Sequence, residues 1–246
     1  MTPQRLIYET CSEYGIGMAH AELILSLSDV RYRWPGKASF ALAIPNFSVA
    51  SGERVLLLGE SGSGKSTLLS LICGTITAQS GSVVVAGIDI ASLSAGKRDR
   101  FRAEQIGLIF QQFNLLPYAS VLDNILLPLR FAPRRNAMLS SPRDIATTLC
   151  AELGLPADAI SVQAGTLSVG QQQRVAAARA LIGAPPLIVA DEPTSALDAA
   201  TQATFLDLLF AQTRAAGSTL LMVSHDARLA DRFDRVVQMA DIASTA

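Results

Sequence analysis

The sequence predicts an α/β fold with a mostly parallel sheet at its core, an N-terminal antiparallel β subdomain and a helical insertion. Three observations support this prediction. Short continuous apolar runs recur along the chain next to stretches of helical periodicity, as in parallel sheets covered on both faces. Alternating segments cluster near the N-terminus. The middle of the chain is rich in Pro and Arg and has helix-like periodicity.

The N-terminal part of the chain has the pattern of antiparallel strands. Short alternating segments run from Leu23 to Val49 and are interrupted at Trp34-Pro35-Gly36 and at Pro45, where we expect breaks. Residues 1–22 show no clear pattern and are predicted to be a lead-in. We therefore place one domain at residues 23–246.

The rest of the chain alternates between predicted strands and helices. Continuous apolar runs predict buried strands at Arg54–Leu58, Ile106–Phe110, Leu187–Ala190 and Thr219–Val223, and Ser82–Ile90 is predicted as a further strand. The predicted helices are Ser66–Cys73, Val169–Ile182 and Ala199–Ala215. The helical insertion is expected at about 114–183.

Composition and charge exclude several function classes. Lys and Arg number 20 against 21 Asp and Glu, without a basic stripe, so no nucleic-acid partner is expected. Cys11, Cys73 and Cys150 are scattered and lack metal-ligand spacing, which indicates a reduced, cytosolic protein. Neither a long apolar span nor a signal-peptide pattern is present, so we expect a cytoplasmic chain.

A glycine-rich segment between a predicted strand and a predicted helix matches the phosphate-binding pattern G-x-x-x-x-G-K-[ST]. Its glycines let backbone N–H groups converge on a phosphate, and the helix N-terminus adds partial positive charge. Lys65 is predicted to reach the β- and γ-phosphates, and the Ser66 hydroxyl to bind Mg²⁺. A flexible glycine-serine turn is the alternative, which the flanking strand and helix disfavour. The predicted nucleotide-binding residues are Gly59, Glu60, Ser61, Gly62, Ser63, Gly64, Lys65, Ser66 and Thr67.

Two acidic residues close a predicted buried strand farther along the chain. Asp191 is placed to hold Mg²⁺, which prefers oxygen ligands, and Glu192 to activate the attacking water. An isolated Asp-Glu pair is more often a solvated turn. The phosphate-binding loop makes the functional interpretation the better one.

Four further motifs resemble those of the ABC ATPases, a family of P-loop NTPases. Leu167–Arg174, which reads Leu-Ser-Val-Gly-Gln-Gln-Gln-Arg, is similar to the family signature L-S-G-G-Q followed by Q-Q-R. Ser195–Asp198 resembles the D-loop and Val223–Asp226 the H-switch, while Gln111 resembles the Q-loop glutamine. Together with the phosphate-binding loop they follow the family order, within a resemblance that spans about residues 23–237.

The resemblance implies an ATP-dependent homodimer. Two copies would pair head to tail, with each ATP between the phosphate-binding loop of one copy and the signature of the other. Ser168 and Gly170 would contact the γ-phosphate in trans, with Val169 and Gln171 alongside. Asp198 would link the two sites across the dimer.

The resemblance also implies roles within one copy. His225 would contact the γ-phosphate, and Gln111 would contact the metal and the attacking water. The adenine would stack on an aromatic side chain of the early strands, for which we choose Trp34, with Tyr32 as the substitute. An isolated histidine or tryptophan is more often structural, and only the shared order of motifs favours these roles.

The signature departs from the family pattern at Val169, where the family usually has glycine. A β-branched residue resists positive φ and blocks a close backbone approach, so phosphate contact here is expected to be looser or reshaped. The other catalytic positions match, and ATP hydrolysis is still expected.

Two segments, Phe110–Pro117 and Val121–Ile125, resemble the ATPases of the lipoprotein-releasing and macrolide-exporter group. This implies an integral membrane permease of the FtsX type as partner, received on the apolar surface around 114–127. The ATPase would lie in the cytoplasm, peripheral on the inner face of the membrane.

Three other functions compete with this interpretation. A non-transport regulator coupled to an FtsX-like protein, as in cell division, would have much the same sequence. Soluble ABC proteins of DNA repair, chromosome organisation or translation need coiled coils, tandem domains or basic faces, which the sequence lacks. A nucleotide kinase would not need the signature or the D-loop.

Overall fold

The structure, a computed structural model, describes residues 22–35 and 41–245. The predicted lead-in, apart from Glu22, and Cys11 lie outside the described residues. Within them, every helix is too short or too polar to cross a membrane.

Ten strands and eight α-helices make up the described chain. The strands are β1 (Leu23–Arg33), β2 (Ala41–Ala50), β3 (Arg54–Leu58), β4 (Ser80–Val85), β5 (Ile88–Asp89), β6 (Ile106–Ile109), β7 (Leu187–Asp191), β8 (Thr219–Ser224), β9 (Arg235–Gln238) and β10 (Ser244–Thr245). The helices are α1 (Lys65–Ile72), α2 (Ala95–Gln105), α3 (Val121–Leu126), α4 (Pro133–Ala137), α5 (Pro142–Glu152), α6 (Val169–Leu181), α7 (Ala199–Ala215) and α8 (Met239–Ile242).

The strands form two sheets, as the predicted fold class requires. Five strands in the order β6-β7-β8-β3-β9 form a sheet in which every neighbouring pair is parallel. The other five, in the order β10-β2-β1-β4-β5, form an antiparallel sheet. The fold is thus an α/β core with an antiparallel β subdomain.

The apolar strands of the parallel sheet are buried on both faces. On β3, Val55 and Leu57 pack with α1 and the antiparallel sheet, whereas Leu56 and Leu58 pack with the helices between β6 and β8. Burying one such side chain contributes about 1.5–3 kcal/mol, so two-sided burial explains the continuous apolar runs.

The antiparallel sheet differs from the sequence prediction at Pro45, where a break was expected. The strand β2 continues through Pro45, which lies opposite the irregularity at Asp29, where φ is 51°. Beyond β2, β10 pairs only with Leu42 and Ala43, so Pro45 occupies an edge segment, where proline is tolerated.

The predicted strand Ser82–Ile90 is a hairpin of β4 and β5. Its two-residue turn is Ala86-Gly87, and both residues have positive φ, 47° and 74°. Positive φ at both turn positions matches the twist of a tight hairpin. Alanine seldom takes this conformation, so nothing in the sequence indicated a turn at Ala86.

The helices between β6 and β7 pack closely on the parallel sheet. At Gly107 of β6 an added Cβ would lie 2.2 Å from the Ala180 carbonyl oxygen, so α6 lies almost directly on the strand. The helix presents a run of buried small residues, Ala176 to Ala178, to this core. At its start, in contrast, Ser168 and Val169 are exposed and the next three residues are half-buried.

Candidate functional site

A cleft of about 960 Å³ lies at the carboxyl edge of the parallel sheet. Predicted site residues stand at or just after the carboxyl ends of four strands, β3, β6, β7 and β8. Because these strands are parallel, their carboxyl ends meet at one edge of the sheet. The residues that line the cleft are Trp34, Glu60, Ser61, Gly62, Gly64, Lys65, Ser66, Thr67, Gln111, Asp191, Glu192 and His225.

The loop between β3 and α1 has the backbone that its glycines allow. Gly62 and Gly64 have φ values of 84° and 99°, in the left-handed region that favours glycine. An added Cβ on Gly59 would lie 2.7 Å from Ser63 Oγ, so that glycine is required for close packing. No side chain caps α1 at Gly64, and its first-turn N–H groups are left for an anion.

Lys65 is buried at the base of this loop. Its Nζ donates hydrogen bonds to the carbonyl oxygens of Gly59 and Glu60, at 2.6 and 2.7 Å. These bonds hold the ammonium group at the centre of the loop, where it adds positive charge to the anion site.

Trp34 lies against the start of α1. Its indole Nε1 donates a hydrogen bond to Thr67 Oγ1 at 3.1 Å, and the Tyr32 ring meets it edge-on with centroids 5.3 Å apart. Trp34 lines the cleft, whereas Tyr32 is buried beneath it. Of the two aromatic residues considered for stacking, Trp34 borders the cleft and Tyr32 does not.

The two acidic residues after β7 occupy different environments. Asp191 ends the strand, and burial together with the neighbouring Glu192 raises the pKa of its carboxyl group, an effect that Lys65 opposes. Glu192 has φ 43°, and its N–H donates to the Val223 carbonyl of β8 at 3.0 Å. A positive φ outside glycine is held only by its surroundings and is typical of functional sites.

His225 lies directly after β8 and contacts Glu192. Its Nδ1 is 2.8 Å from Glu192 Oε2, and an ionised carboxylate can only accept, so Nδ1–H is the donor. The histidine side chain is 63% exposed and the glutamate side chain 17%, so the pair lies at the surface of the cleft. Gln111, after β6, contributes an exposed amide to the same cleft.

The signature residues lie outside this cleft. Ser168 caps α6 in a capping box, in which its hydroxyl accepts from the Gln171 N–H and the Gln171 side chain accepts from the Ser168 N–H. Val169 follows in helical conformation and is 51% exposed, and a Cβ added to Gly170 would meet nothing within 4 Å. The start of α6 at Ser168, Val169 and Gly170 therefore has room for a contact from outside this copy.

Asp198 also lies outside the cleft, at the N-terminus of α7. Its carboxylate accepts from the N–H groups of Ala200 and Thr201 and from the Thr201 hydroxyl. The bond from Thr201 lowers the pKa of this carboxyl group. One copy of the chain thus brings together the phosphate-binding loop, Gln111, Asp191, Glu192 and His225, but not the signature or Asp198.

Two buried polar residues of α6 were not predicted as part of the site. Gln173 Nε2 donates to the Pro193 carbonyl at 2.5 Å, next to Glu192. Arg179 donates to the carbonyls of Phe113 and Asn114, just after Gln111. Both stand in a helical pattern rich in alanine and glutamine, and the sequence does not show which polar side chains turn inward.

A second cavity, an apolar groove of about 850 Å³, lies between α2, β6 and the segment after α3. It is lined in part by Phe110, Leu127 and Phe131, of which Phe131 is 63% exposed. The apolar surface was expected around 114–127. Val121 and Ile125 are instead fully buried, because α3 packs on α5 and α6, so of that stretch only Leu127 lines the groove.

Comparison with known proteins agrees with these motifs. The sequence model of the family described as "ABC transporter" matches residues 42–195. The lipoprotein-releasing system ATP-binding protein LolD of Anaeromyxobacter dehalogenans is 44% identical over 196 residues, covering 80% of this chain and 81% of LolD. The macrolide export ATP-binding/permease protein MacB of Rhodopirellula baltica is 41% identical over 194 residues, covering 79% of this chain but only 28% of that longer protein.

Solved structures give the same result. The dimeric structure of MJ0796, described as a bacterial ABC transporter cassette, has a TM-score of 0.76 and 34% identity, and the match covers 87% of this chain and 93% of that chain. A post-hydrolysis state of the same cassette bound to ADP and Pi, also dimeric, has a TM-score of 0.74.

Proposed function

The chain belongs to the ABC transporter family and hydrolyses ATP, and from that premise we propose that it drives a separate membrane permease by ATP-dependent head-to-tail dimerisation. The ATPase itself lies in the cytoplasm, on the inner face of the membrane. The permease is of the FtsX type, as in the lipoprotein-releasing and macrolide-exporter group that the segments around Phe110–Ile125 resemble.

One observation carries this proposal. Lys65, Asp191 and Glu192 converge on one cleft, whereas the start of α6 at Ser168 is exposed elsewhere on the same copy. A second copy is then needed to bring a signature to the phosphates. The dimeric structures of a cassette 34% identical to this chain support that arrangement.

The donors in the cleft suit Mg²⁺. The Ser66 hydroxyl, the Asp191 carboxylate and the Gln111 amide oxygen line one cavity, and Mg²⁺ takes a few oxygen ligands from a protein while phosphate oxygens and waters complete its shell. When bound, the ion would neutralise charge on the phosphates. Among the described residues no group of three His, Cys, Asp or Glu side chains is placed to hold a metal ion by itself.

The remaining residues have separate roles in hydrolysis. Glu192 accepts the proton of the attacking water, and His225 orients that carboxylate through the bond between Nδ1 and Oε2. The ring of His225 is exposed at the cleft, where it would be free to contact a γ-phosphate. Lys65 and the first-turn N–H groups of α1 stabilise the phosphates. Trp34 stacks on the adenine beside Thr67.

Hydrolysis drives a cycle because the two states of the dimer differ in affinity for the nucleotide. A ligand shifts such an equilibrium only by its differential affinity for the states. The γ-phosphate is contacted by both copies only in the closed dimer. Its loss removes that difference and the dimer opens.

Substitution of the proposed base tests the proposal. Glu192→Gln keeps the shape of the side chain but cannot accept a proton, so hydrolysis should fall by a factor on the order of 10²–10⁴. With ATP and Mg²⁺ the variant should accumulate as a dimer of twice the 26.0 kDa chain mass. Size exclusion with light scattering, together with phosphate release, measures both.

The control is the double variant Lys65→Ala, Glu192→Gln. The first substitution removes positive charge from the phosphate site, so this variant should bind ATP poorly and stay monomeric when ATP is added. A Glu192→Gln chain that stays monomeric and still turns over ATP would contradict both the role of Glu192 and the dimer cycle.

The apolar groove is the proposed docking surface for the permease. Phe110 and Phe131 are exposed there, and large exposed apolar patches mark partner sites. Phe110 directly precedes Gln111, which lines the nucleotide cleft. A permease segment in the groove would therefore lie one residue from the site of hydrolysis.

A further inference from the structure

Two consecutive residues after Gln111 hold left-handed backbone conformations. Phe113 has φ 57° and Asn114 has φ 49°. The Phe113 N–H donates to the Phe110 carbonyl at 3.0 Å and the Asn114 N–H to the Gln112 carbonyl at 2.6 Å. Asparagine enters this conformation comparatively readily, whereas a bulky residue such as Phe113 holds it only where the surroundings enforce it. The shape of this loop therefore depends on contacts from outside it.

Arg179 of α6 supplies such a contact. Its guanidinium donates one hydrogen bond to the Asn114 carbonyl at 2.6 Å and a second to the Phe113 carbonyl. The planar fork of a guanidinium suits two acceptors side by side, which a lysine ammonium does not reproduce.

The Arg179 guanidinium makes this contact while it is buried, which is unusual for a charged group. The side chain is 7% exposed, and burial lowers its pKa. A buried charge is retained only when its surroundings compensate for lost water, and here two backbone carbonyls do so. The buried guanidinium of Arg179 therefore uses the loop carbonyls as its hydrogen-bond acceptors.

Arg179 lines one of the two cavities and holds the loop that follows the residue lining the other. It lines the apolar groove together with Phe110, whereas Gln111 lines the nucleotide cleft. The loop thus has one residue in each cavity, and Arg179 fixes the backbone just beyond them. A permease segment that enters the groove would lie against Phe110, the residue before Gln111.

We infer that Arg179 is a positioning residue for Gln111: by holding the Phe113 and Asn114 carbonyls it keeps Gln111 in the cleft. This inference rests on the proposed role of Gln111.

A second buried arginine provides a matched control. Arg135 is 4% exposed and donates to the carbonyls of Ala103 and Ile182, which belong to neither Gln111 nor its loop. Burial lowers its pKa as well. Replacing either arginine removes a buried guanidinium bonded to two carbonyls, but only Arg179 holds the loop.

Hydrogen exchange followed by mass spectrometry measures the loop directly. In Arg179→Lys, the amides of residues 110–116 should exchange about tenfold faster or more than in the wild type, because local opening becomes easier. In Arg135→Lys the same amides should keep wild-type rates, and faster exchange should be confined to segments around 103 and 182. Arg179→Met, which removes the charge and both hydrogen bonds, should increase the exchange further. If the methionine variant does not fold, the comparison of Arg179→Lys with Arg135→Lys decides the test.

Kinetics separate positioning from general loss of stability. For Arg179→Lys, kcat should fall on the order of ten- to a hundredfold and the Mg²⁺ requirement should rise, because misplacement of a catalytic group acts on the chemical step. Nucleotide affinity, read from the fluorescence of Trp34, the single tryptophan of the chain, should stay within about twofold. Arg135→Lys should retain wild-type Mg²⁺ dependence.

The results distinguish this inference from the proposed function. If Arg179→Lys exchanges and hydrolyses like Arg135→Lys, the inference is wrong while the ATPase cycle stands. If the wild type hydrolyses ATP but Glu192→Gln does so equally well, the proposed function fails, whatever the loop does.

Discussion

At the scale of single residues, the site depends on a glutamate held in a costly backbone conformation. The left-handed φ of Glu192 costs about 1–2 kcal/mol for a residue with a Cβ. The N–H bond to Val223 and the contact with His225 Nδ1 stabilise this conformation. Both partners come from the end of β8, so the neighbouring strand fixes the direction of the carboxylate.

The convergence of the predicted site residues on one edge of the sheet could be predicted from the sequence, but their contacts could not. The motif spacing placed Lys65, Asp191, Glu192 and His225 at strand ends, and the structure brings them to one cleft. That His225 Nδ1 pairs with Glu192, rather than lying apart from it, depends on the parallel order of β7 and β8. No local pattern specifies that order.

Val169 in the signature is compatible with hydrolysis. The residue is helical, with Ser168 as N-cap, so its backbone does not need the positive φ that would require glycine. Its side chain is 51% exposed and constrained by no core. Val169→Gly should leave ATPase activity within a few-fold of wild type or raise it, measured by phosphate release.

The cost of this substitution to folding should be small. Glycine near a helix start is less favourable than valine by about 0.5 kcal/mol or less, which lowers the thermal midpoint only slightly. Val169→Ala, which also removes the branched side chain but keeps a Cβ, is the control. A collapse of activity in both variants would show that the branched side chain is required at this position, whereas a collapse in the glycine variant alone would show that a Cβ is required.

At the scale of elements, α6 connects three parts of the site. Ser168 begins the helix, Gln173 holds the Pro193 carbonyl and Arg179 holds the loop after Gln111. The helix was predicted from its periodicity, with an end one residue from the observed Leu181. Its connecting role was not, because burial of Gln173 and Arg179 is decided by the neighbours of the helix.

The elements that were predicted wrongly share a physical cause. The hairpin turn at Ala86-Gly87 and the continuation of β2 through Pro45 both contradict the usual local preference of a residue type. In each case pairing with neighbouring strands overrides that preference. The buried strands of the parallel sheet were predicted well because a short continuous apolar run is stable only when both faces of the strand are buried.

Burial in two helical elements predicts unreactive thiols. Cys73 follows α1 and Cys150 lies in α5, and both are free and buried. Burial raises the pKa of Cys73 to about 12 and that of Cys150 to about 11. The thiolate is the reactive form, so in a Cys11→Ser background iodoacetamide at pH 8 should modify neither thiol until the chain unfolds.

Mass spectrometry of native and urea-unfolded samples checks this prediction. The unfolded chain should react at both positions. The sign of the shift also means that these thiols favour the folded state below pH 9 and lose that contribution as the pH rises through 11 to 12. Rapid labelling of Cys150 in the native chain would show that α5 opens locally.

At the scale of the whole molecule, the fold presents two cavities that meet at β6. The strand ends at Ile109, its next residue Phe110 faces the groove, and Gln111 faces the cleft. The two cavities are therefore separated along the chain by a single peptide unit, and we expect movement of Phe110 to displace Gln111. A motor that turns hydrolysis into movement of a partner needs such a junction.

The groove prediction is tested by comparing two exposed apolar residues. Phe131 is 63% exposed and lines the groove, whereas Met138 is 71% exposed and does not. Phe131→Ser should reduce recovery of the membrane partner from native membranes by tenfold or more, because a central aromatic residue of an interface contributes about 2 kcal/mol or more. Met138→Ser, an equally exposed change, should recover the partner like the wild type. Thermal midpoints and the Trp34 response to ATP establish that both variants are folded. Equal recovery by the two variants would place the permease on another face, and equal loss would indicate nonspecific association through exposed apolar side chains.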